Sequence, residues 1–107
     1  NVIIGEGSII SAGVIISTNC IIGDFSILNL NTSISHDSIL GKFFTAAPGV
    51  VITGDNKIGD FVTFGANSTS KEEIIICDNV KIGMNAGVIN NIQESGIYIG
   101  TPAKKLR

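Results

Sequence analysis

The sequence is poor in the residues that mark several common classes of protein. Its 107 residues include no tryptophan, one histidine, two cysteines and two prolines, and only 15% of them are charged. Two cysteines are too few for the disulfide framework of a small secreted domain, and the spacing of Cys20 and Cys77 is not that of a metal site. Seven basic residues against nine acidic ones provide no basic surface for nucleic acid. We therefore expect a reducing compartment and no nucleic-acid partner.

Long apolar runs and targeting signals are also missing. No apolar run approaches the roughly 18 residues of a membrane span, and residues 1–6 lack the basic start of a signal peptide. These absences predict a cytoplasmic chain without a membrane partner. Since 44% of the residues are hydrophobic, the composition excludes disorder and favours one domain with a thin core.

The sequence is rich in a six-residue repeat. From Ile4 to Val88 in steps of six, fourteen of fifteen positions are apolar. Because six is a multiple of two, the repeat returns to one face of a strand, whereas on a helix it would move around the axis. A second small or apolar position follows four residues later and includes Cys20, to which we assign a packing role. The repeating unit is therefore a short strand.

A period of eighteen residues lies on top of the hexads. It is carried by four similar segments, Ile4–Gly7, Ile22–Phe25, Leu40–Phe43 and Ile58–Phe61. Three hexads therefore make one turn of a three-sided prism, with glycine at the same corner of each turn because the backbone needs unusual freedom there. We expect Phe25, Phe43 and Phe61 to stack about 5 Å apart, the spacing of neighbouring strands. The fifteen hexads predict five turns.

Two segments depart from this pattern. The hexad at 70–75 begins with a serine and contains three charged residues, which predicts a bulged corner or a short loop. Residues 94–107 do not repeat, and we expect them to close the end of the prism or to pack along its side. The flat apolar sides of such a solenoid predict an oligomer.

The isoleucine-led hexads resemble the left-handed parallel β-helix of the hexapeptide acyltransferases. Leu28-Asn29 followed by Ile34–Gly41 is similar to the I-N…I-x-H-[DE]-x-x-[IL]-G segment of the sialic acid O-acetyltransferase type. That type includes bacterial N-acetyltransferases acting on UDP-linked 4-amino sugars. Gly100–Lys104 is similar to the G-x-P-A-[KR] ending that such proteins place beside coenzyme A. The resemblance implies an all-β, left-handed β-helix of about five coils over residues 1–93, a closing tail at 94–107, and the absence of the family's N-terminal sugar-nucleotide domain.

The resemblance also implies an activity. It indicates a homotrimeric acetyltransferase that moves an acetyl group from acetyl-CoA to an amine or hydroxyl of a sugar or nucleotide-linked sugar. The reaction is expected in the bacterial cytoplasm, as a step of surface-glycan synthesis, and to need no metal. Cys77 has no histidine near it in sequence or in its column, so we expect direct transfer rather than an acetyl-enzyme. The alternative is a non-catalytic, trimerising β-helix of a sugar nucleotidyltransferase-like protein. A zinc carbonic anhydrase of this fold would need three histidine ligands and is excluded.

Acetyl transfer needs a base beside the acceptor, and a histidine with a pKa of about 6.5 is suited to that task. His36 is the only histidine, and it lies in the matching segment, so we assign it the base. Its neighbours eighteen residues away, Thr18 and Gly54, are small and should leave the ring open. Asp37 is expected to orient the ring together with Asp55, the alternative being a solvated acidic edge.

The resemblance places the coenzyme by matching repeat positions. The residues implied are Thr45, Ala66, Met84, Gly100, Pro102 and Lys104. The basic end, which also includes Lys105 and Arg107, either meets the phosphates of the coenzyme or is an ordinary solvated terminus. Asn29 either faces the acceptor or holds its own backbone.

Overall fold

The computed structural model describes all residues from Asn1 to Arg107 and contains seventeen short strands and no helix. There is accordingly no helix long and apolar enough to cross a bilayer. The first fifteen strands are β1 (Val2–Ile4), β2 (Ile9–Ile10), β3 (Ile15–Ile16), β4 (Cys20–Ile22), β5 (Ile27–Leu28), β6 (Ser33–Ile34), β7 (Ile39–Leu40), β8 (Thr45–Ala46), β9 (Val51–Ile52), β10 (Lys57–Ile58), β11 (Thr63–Phe64), β12 (Thr69–Ser70), β13 (Ile75–Ile76), β14 (Val80–Ile82) and β15 (Gly87–Val88). The last two are β16 (Gly96–Ile99) and β17 (Lys104–Lys105).

The strands form three walls of a prism. Wall 1 contains β1, β4, β7, β10 and β13, wall 2 runs from β2 through β5, β8, β11, β14 and β16 to β17, and wall 3 contains β3, β6, β9, β12 and β15. All neighbours in the walls are parallel except β16 and β17. The register joins residues eighteen apart, as in Ile21↔Ile39 and Thr45↔Thr63. The predicted five-turn parallel β-helix is therefore confirmed.

Three corners connect the walls, and each recurs in successive coils. The phenylalanine corner joins wall 1 to wall 2 and contains residues 5–8, 23–26, 41–44, 59–62 and 77–79. The asparagine corner joins wall 2 to wall 3 and contains residues 11–14, 29–32, 47–50, 65–68 and 83–86. The histidine corner joins wall 3 to wall 1 and contains residues 17–19, 35–38, 53–56 and 71–74.

The core lies along the axis of the prism and consists of the two inward positions of each hexad. Twenty buried hydrophobic residues form one cluster, among them Ile22, Leu40 and Ile52. Cys20 is buried within it, and its thiol donates to the carbonyl of Ser35 at 3.0 Å, which confirms the packing role. Buried hydroxyls at corner positions donate to backbone carbonyls, as Ser26 does to Gly23 at 2.7 Å, so they are satisfied inside the apolar core.

The phenylalanine corner carries the predicted stack. Ring centroids of Phe25 and Phe43 are 5.4 Å apart, and those of Phe43 and Phe61 are 4.8 Å apart. The reason given for the corner glycines is wrong. A Cβ at Gly23 would collide with the backbone of Gly41, whereas the left-handed residue of that corner is Phe25, with φ 57°. Glycine is required there because adjacent coils approach too closely for a side chain, not because of its φ angle.

The expected bulge at 70–75 is also wrong, because this hexad is as regular as the others. Ser70 lies in β12, pairs with Ile52 and Val88 in register, and is fully buried. Its hydroxyl accepts from the Thr53 N–H at 3.3 Å, and its carbonyl accepts from the Thr53 hydroxyl at 2.7 Å. Hydrogen bonds to the preceding coil therefore replace the apolar contact that the other hexads make at this position.

The last residues extend wall 2. After a segment in which Ile92 bridges to Ile76, β16 pairs with β14, and β17 folds back on β16 in antiparallel orientation. Tyr98 is 8% exposed, and its hydroxyl donates to the Glu94 carbonyl at 2.7 Å. This aromatic residue thus covers the end of the core.

Candidate active site

His36 lies at the histidine corner, between β6 and β7, where its side chain is 54% exposed. The preceding strand places Ile34 inward and the following corner residue, Ser38, is fully buried, so the corner projects outward between two anchored residues. Asp37 has a left-handed backbone with φ 59°. This conformation turns its carboxylate back toward the imidazole. The sequence therefore builds the pair from two adjacent residues of one tight corner.

The imidazole and the carboxylate form a direct hydrogen bond. The distance between His36 Nδ1 and Asp37 Oδ2 is 3.0 Å. In the neutral ring this contact favours the tautomer with its proton on Nδ1, which leaves the lone pair of Nε2 for a ligand. The pKa of His36 is raised, chiefly by the hydrogen bond to Asp37; desolvation opposes this increase, and the charges of Asp55 and Asp37 add smaller increases. The surroundings therefore strengthen the ring as a base.

Gly54, one coil further along, receives the ring. A Cβ built on Gly54 would lie 2.5 Å from His36 Nε2 and 2.6 Å from Cε1. The imidazole therefore rests against the Gly54 backbone, and its side chain stays 54% exposed. Gly54 has no left-handed φ angle, so the glycine serves to admit the ring. The signal available in the sequence was that a glycine stands eighteen residues after the histidine.

A column of carboxylates continues the site along the prism. Asp37, Asp55 and Glu73 occupy the same left-handed position in three successive coils, with φ between 56° and 61°. The N–H of Asp55 donates to the His36 carbonyl at 2.9 Å, which fixes the coil spacing. Asp55, Glu73 and Lys57 line an open groove of about 320 Å³ beside the histidine. An acceptor that reaches the histidine from this side meets an acidic surface.

His36, Asp37 and Asp55 are the one set of residues in the chain with the number and spacing of metal ligands. Candidate ligand atoms of His36, Asp37 and Asp55 lie within 4.8 Å of one another. All three side chains are exposed, and His36 Nδ1 is already engaged by Asp37. Protein zinc sites use mainly cysteine and histidine, so this donor set does not by itself indicate a metal, and the metal-free reaction stays a prediction.

The residues expected at the coenzyme lie on a different edge of the prism. Thr45 is on wall 2, Ala66 and Met84 are at the asparagine corner, and Met84 is 72% exposed. Gly100 is attached to the same edge because its carbonyl accepts from the Gly87 N–H at 3.0 Å, and Pro102 and Lys104 follow it. Within one chain these residues are separated from the histidine corner by wall 3. The structure therefore assembles the histidine half and the coenzyme half of the expected site at two different places, and within one chain the two halves do not meet.

Asn29 is occupied by the backbone. It lies at the asparagine corner, and its side-chain amide donates to the Ala46 carbonyl at 2.8 Å. Of the two roles considered for Asn29, this contact favours the corner asparagine that holds the backbone over a residue that faces the acceptor.

No protein-family model and no curated sequence matches this chain. Solved structures do match. The acetyltransferase domain of PglB from Neisseria gonorrhoeae superimposes with a TM-score of 0.96 at 28% identity, over 98% of this chain and 51% of that one. The same domain in complex with acetyl coenzyme A gives a TM-score of 0.95 at 28% identity, with the same shares covered. The chain has the fold of the hexapeptide-repeat acetyltransferases.

This left-handed β-helix therefore confirms the resemblance drawn from the hexads, including its handedness. A more distant match has the same fold: perosamine N-acetyltransferase from Caulobacter crescentus, in a histidine-to-asparagine variant bound to CoA and GDP-perosamine, gives a TM-score of 0.84 at 22% identity over 96% of this chain and 52% of that one. The chain spans about half the length of these hexapeptide-repeat proteins.

Proposed function

We propose that this chain transfers an acetyl group from acetyl-CoA to an amine or hydroxyl of a sugar or nucleotide-linked sugar. The observation that carries the proposal is the exposed His36 ring, held by Asp37 at 3.0 Å and seated on Gly54. Support comes from the PglB acetyltransferase domain, which shares the fold at 28% identity and is solved with acetyl coenzyme A. Acetyl-CoA is therefore the donor that we propose for this chain.

His36 acts as a general base in this mechanism. Nε2 accepts the proton of the acceptor amine or hydroxyl while the nitrogen or oxygen attacks the thioester carbonyl. Asp37 stabilises the imidazolium that forms, as the raised pKa indicates. Collapse of the tetrahedral intermediate breaks the C–S bond, and the proton passes to the departing thiolate, so that the products are the acetylated sugar and free coenzyme A. No acetyl-enzyme is needed.

A backbone donor is available for the oxyanion of the intermediate. The N–H of Gly54 makes no hydrogen bond within the fold, and its residue contacts the His36 ring. Preorganised backbone N–H groups are common oxyanion donors in acyl transfer. We assign this role to Gly54.

The separation of the two halves of the site supports a homotrimer. The histidine corner and the asparagine corner border wall 3 on opposite sides. A neighbour related by threefold symmetry can bring its asparagine corner, with Ala66 and Met84, to the histidine corner of this chain. Of the basic residues at the end, Lys105 pairs with Glu94 at 3.4 Å, whereas Lys104 has no acidic partner, and we propose Lys104 for the coenzyme phosphates.

Acetyl-CoA turnover tests this function. Thiol release would be followed with amino and hydroxyl sugars and their nucleotide-linked forms as acceptors. We expect His36→Ala to lower the rate by about 10²–10⁴-fold, the usual contribution of a general base. Phe25→Leu, at another corner, serves as the folded control and should retain the rate. Equal, measurable rates for His36→Ala and the wild type would overturn His36 as the base, and the absence of turnover by the folded wild type would favour the trimerising β-helix without catalysis.

Subunit mixing tests whether neighbours share the site. His36→Ala destroys the histidine half, and Met84→Glu places a charge in the coenzyme half, so each variant alone should be inactive. A random mixture regains about one quarter of the wild-type sites, because an intact site needs one intact half from each of two neighbours. A mixture as inactive as its components would show that each chain carries its whole site.

A further inference from the structure

Asn56 is the one buried side chain with a polar atom that lacks a hydrogen-bond partner. It ends the histidine corner of its coil, at the hexad position that Ser26 and Ser68 occupy at the other two corners, and it is fully buried. Its Oδ1 accepts no hydrogen bond. An orphaned acceptor lowers stability, and the two serines show that a smaller side chain at this position is satisfied by one carbonyl. The fold alone therefore does not explain the amide.

The nitrogen of the Asn56 amide makes three contacts. Nδ2 donates to the carbonyl of Thr53 at 3.0 Å, to that of Gly54 at 3.1 Å and to that of Lys71 at 3.0 Å. Three carbonyl oxygens around one amide atom identify that atom as the nitrogen, because an oxygen has no proton to offer them. The side chain thus ties the corner of its own coil to the residue that begins the same corner in the next coil.

The peptide group between Thr53 and Gly54 is held by two side chains. Its carbonyl, which belongs to Thr53, accepts from the Ser38 hydroxyl at 3.1 Å as well as from Asn56. The corresponding carbonyl of the preceding coil, that of Ser35, accepts from one side chain only. Because both donors are fully buried, they hold the Thr53 carbonyl toward the interior of the prism.

The direction of the Gly54 N–H follows from that of the Thr53 carbonyl, since both belong to this peptide group. In a planar trans peptide the N–H and the C=O point in opposite directions. With the carbonyl held inward, the N–H points out of the prism, on the residue against which the His36 ring rests. Hydrogen bonds to the carbonyl oxygen also polarise the peptide and strengthen its N–H as a donor.

We propose that Asn56 is a positioning residue that aims the Gly54 N–H at the oxyanion and strengthens it. This inference rests on the proposed acetyl transfer, in which that N–H stabilises the tetrahedral intermediate. Asn56 is fully buried and contacts neither substrate, so its effect passes through the Thr53 carbonyl. The orphaned Oδ1 is the loss of stability that accompanies this arrangement.

Asn56→Val removes the amide without an obstacle to folding, since Val50 and Val62 occupy the same hexad position at other corners and are fully buried. We expect kcat to fall by about tenfold, which corresponds to the loss of one hydrogen bond. KM should not change, because the contact to the oxyanion is made only in the transition state. The ionisation of His36 in the kcat/KM profile should stay at the same pH, since Asn56 carries no charge. Steady-state kinetics across pH measure all three quantities.

Asn56→Ser is the rescue variant, and Ser26→Val is the matched control. The hydroxyl of Asn56→Ser can donate to the Thr53 carbonyl three residues back, as Ser26 does to Gly23 at 2.7 Å, so most of the rate should return. Ser26→Val removes a buried donor at the same hexad position of the phenylalanine corner, away from both halves of the site. It should leave kcat unchanged, whatever its effect on Tm.

NMR follows the peptide group without turnover. The carbonyl carbon shift of Thr53 and the amide proton shift of Gly54 should move in Asn56→Val and return in Asn56→Ser. Unchanged shifts or a wild-type kcat in Asn56→Val would overturn the proposal. It would also be overturned by an Asn56→Ser protein as slow as Asn56→Val, or by a kcat that falls in parallel with Tm in both Asn56→Val and Ser26→Val.

The wild type and His36→Ala separate this inference from the proposed function. If the wild type turns over and His36→Ala loses its rate, each of those results contradicts the role of Asn56 alone. A folded wild type without turnover contradicts the proposed function and this role together.

Discussion

The histidine corner and the phenylalanine corner share one backbone and differ in chemistry. Both place a left-handed residue at the same point of each coil, as Asp37 does with φ 59° and Phe43 with φ 56°. At the phenylalanine corner the side chains are rings, which stack at about the strand spacing. At the histidine corner three of the four are carboxylates, namely Asp37, Asp55 and Glu73, which repel one another and line an exposed edge. The coil repeat determines which residues meet, and the side chains determine whether a column stabilises the fold or provides a reactive group.

Gly54→Ala is the substitution that breaks the histidine corner most selectively. The added Cβ would occupy the place of the His36 ring tip and displace the ring. A displacement of about 1 Å at a catalytic group can cost about 10²-fold in rate, so we expect kcat to fall by that order. The backbone of Gly54 does not need a left-handed φ angle, so alanine should raise the free energy of unfolding slightly, by up to about 1 kcal/mol.

Thr18→Ala is the matched control, since Thr18 is the column neighbour on the other side of His36. Its contact to Asp37 is made by the backbone carbonyl and survives the substitution. Steady-state kinetics of both variants test the predicted fall in kcat, and thermal unfolding tests the predicted change in stability. A Gly54→Ala protein with wild-type kcat would remove the ring contact from the mechanism.

Phe43→Leu breaks the phenylalanine corner. Phe43 is the central ring and stacks on both Phe25 and Phe61. Because stacked pairs contribute about 0.5–1.5 kcal/mol each, we expect the free energy of unfolding to fall by about 1–3 kcal/mol, measured by denaturant titration. Phe25→Leu, which loses a single pair, should cost about half as much. The acetyl-transfer rate at saturating substrate should not change, and a loss of rate parallel to the loss of stability would show that the corners are coupled.

Asp37→Asn sharpens the contrast by removing the charge that strengthens His36. The hydrogen bond to Asp37 is the main cause of the raised pKa of His36, so the pKa falls when the carboxylate becomes an amide. The base is then deprotonated at lower pH, and the acid limb of the kcat/KM profile moves to lower pH. Asp55→Asn should move it in the same direction by less, since Asp55 acts through its charge alone.

The pH profiles of both variants, with the imidazole signal followed by NMR, test this order. An acid limb that does not move in Asp37→Asn would assign the ionisation to another group. A larger shift for Asp55→Asn than for Asp37→Asn would mean that the charge of the next coil outweighs the hydrogen bond.

The regular part of the fold was predictable because each coil repeats the last. Leu40 and Ile58 both point inward because they occupy the same position of the repeat in successive coils. The Phe25–Phe43 stack likewise follows from a separation of eighteen residues. Ser70 was misjudged because a polar residue can occupy an inward position when the neighbouring coil satisfies it, here through Thr53. Hydrogen bonds of that kind cannot be predicted from the hydrophobic periodicity of the sequence.

The sequence predicted the contact between His36 and Asp37, but not the arrangement of the rest of the site. His36 and Asp37 are adjacent in sequence, so their contact is local. The seat of the ring on Gly54 depends on the side-chain rotamer as well as on the coil spacing. The separation of Met84 from His36 depends on which corner each occupies, and a position in the hexad does not by itself show that two corners of one prism face apart.

The smallest expected effect is on stability, and it concerns His36 alone. Its pKa in the folded state is raised above the value of about 6.5 expected for the unfolded chain. Protonation therefore favours the folded state: the contribution is fully present below the unfolded pKa and disappears as the pH rises through the folded pKa. The difference in Tm between the wild type and His36→Gln, measured at roughly pH 5 and roughly pH 9, should be more favourable to the wild type at the lower pH. A difference that grew toward high pH would mean that Asp37 does not hold the imidazolium in solution.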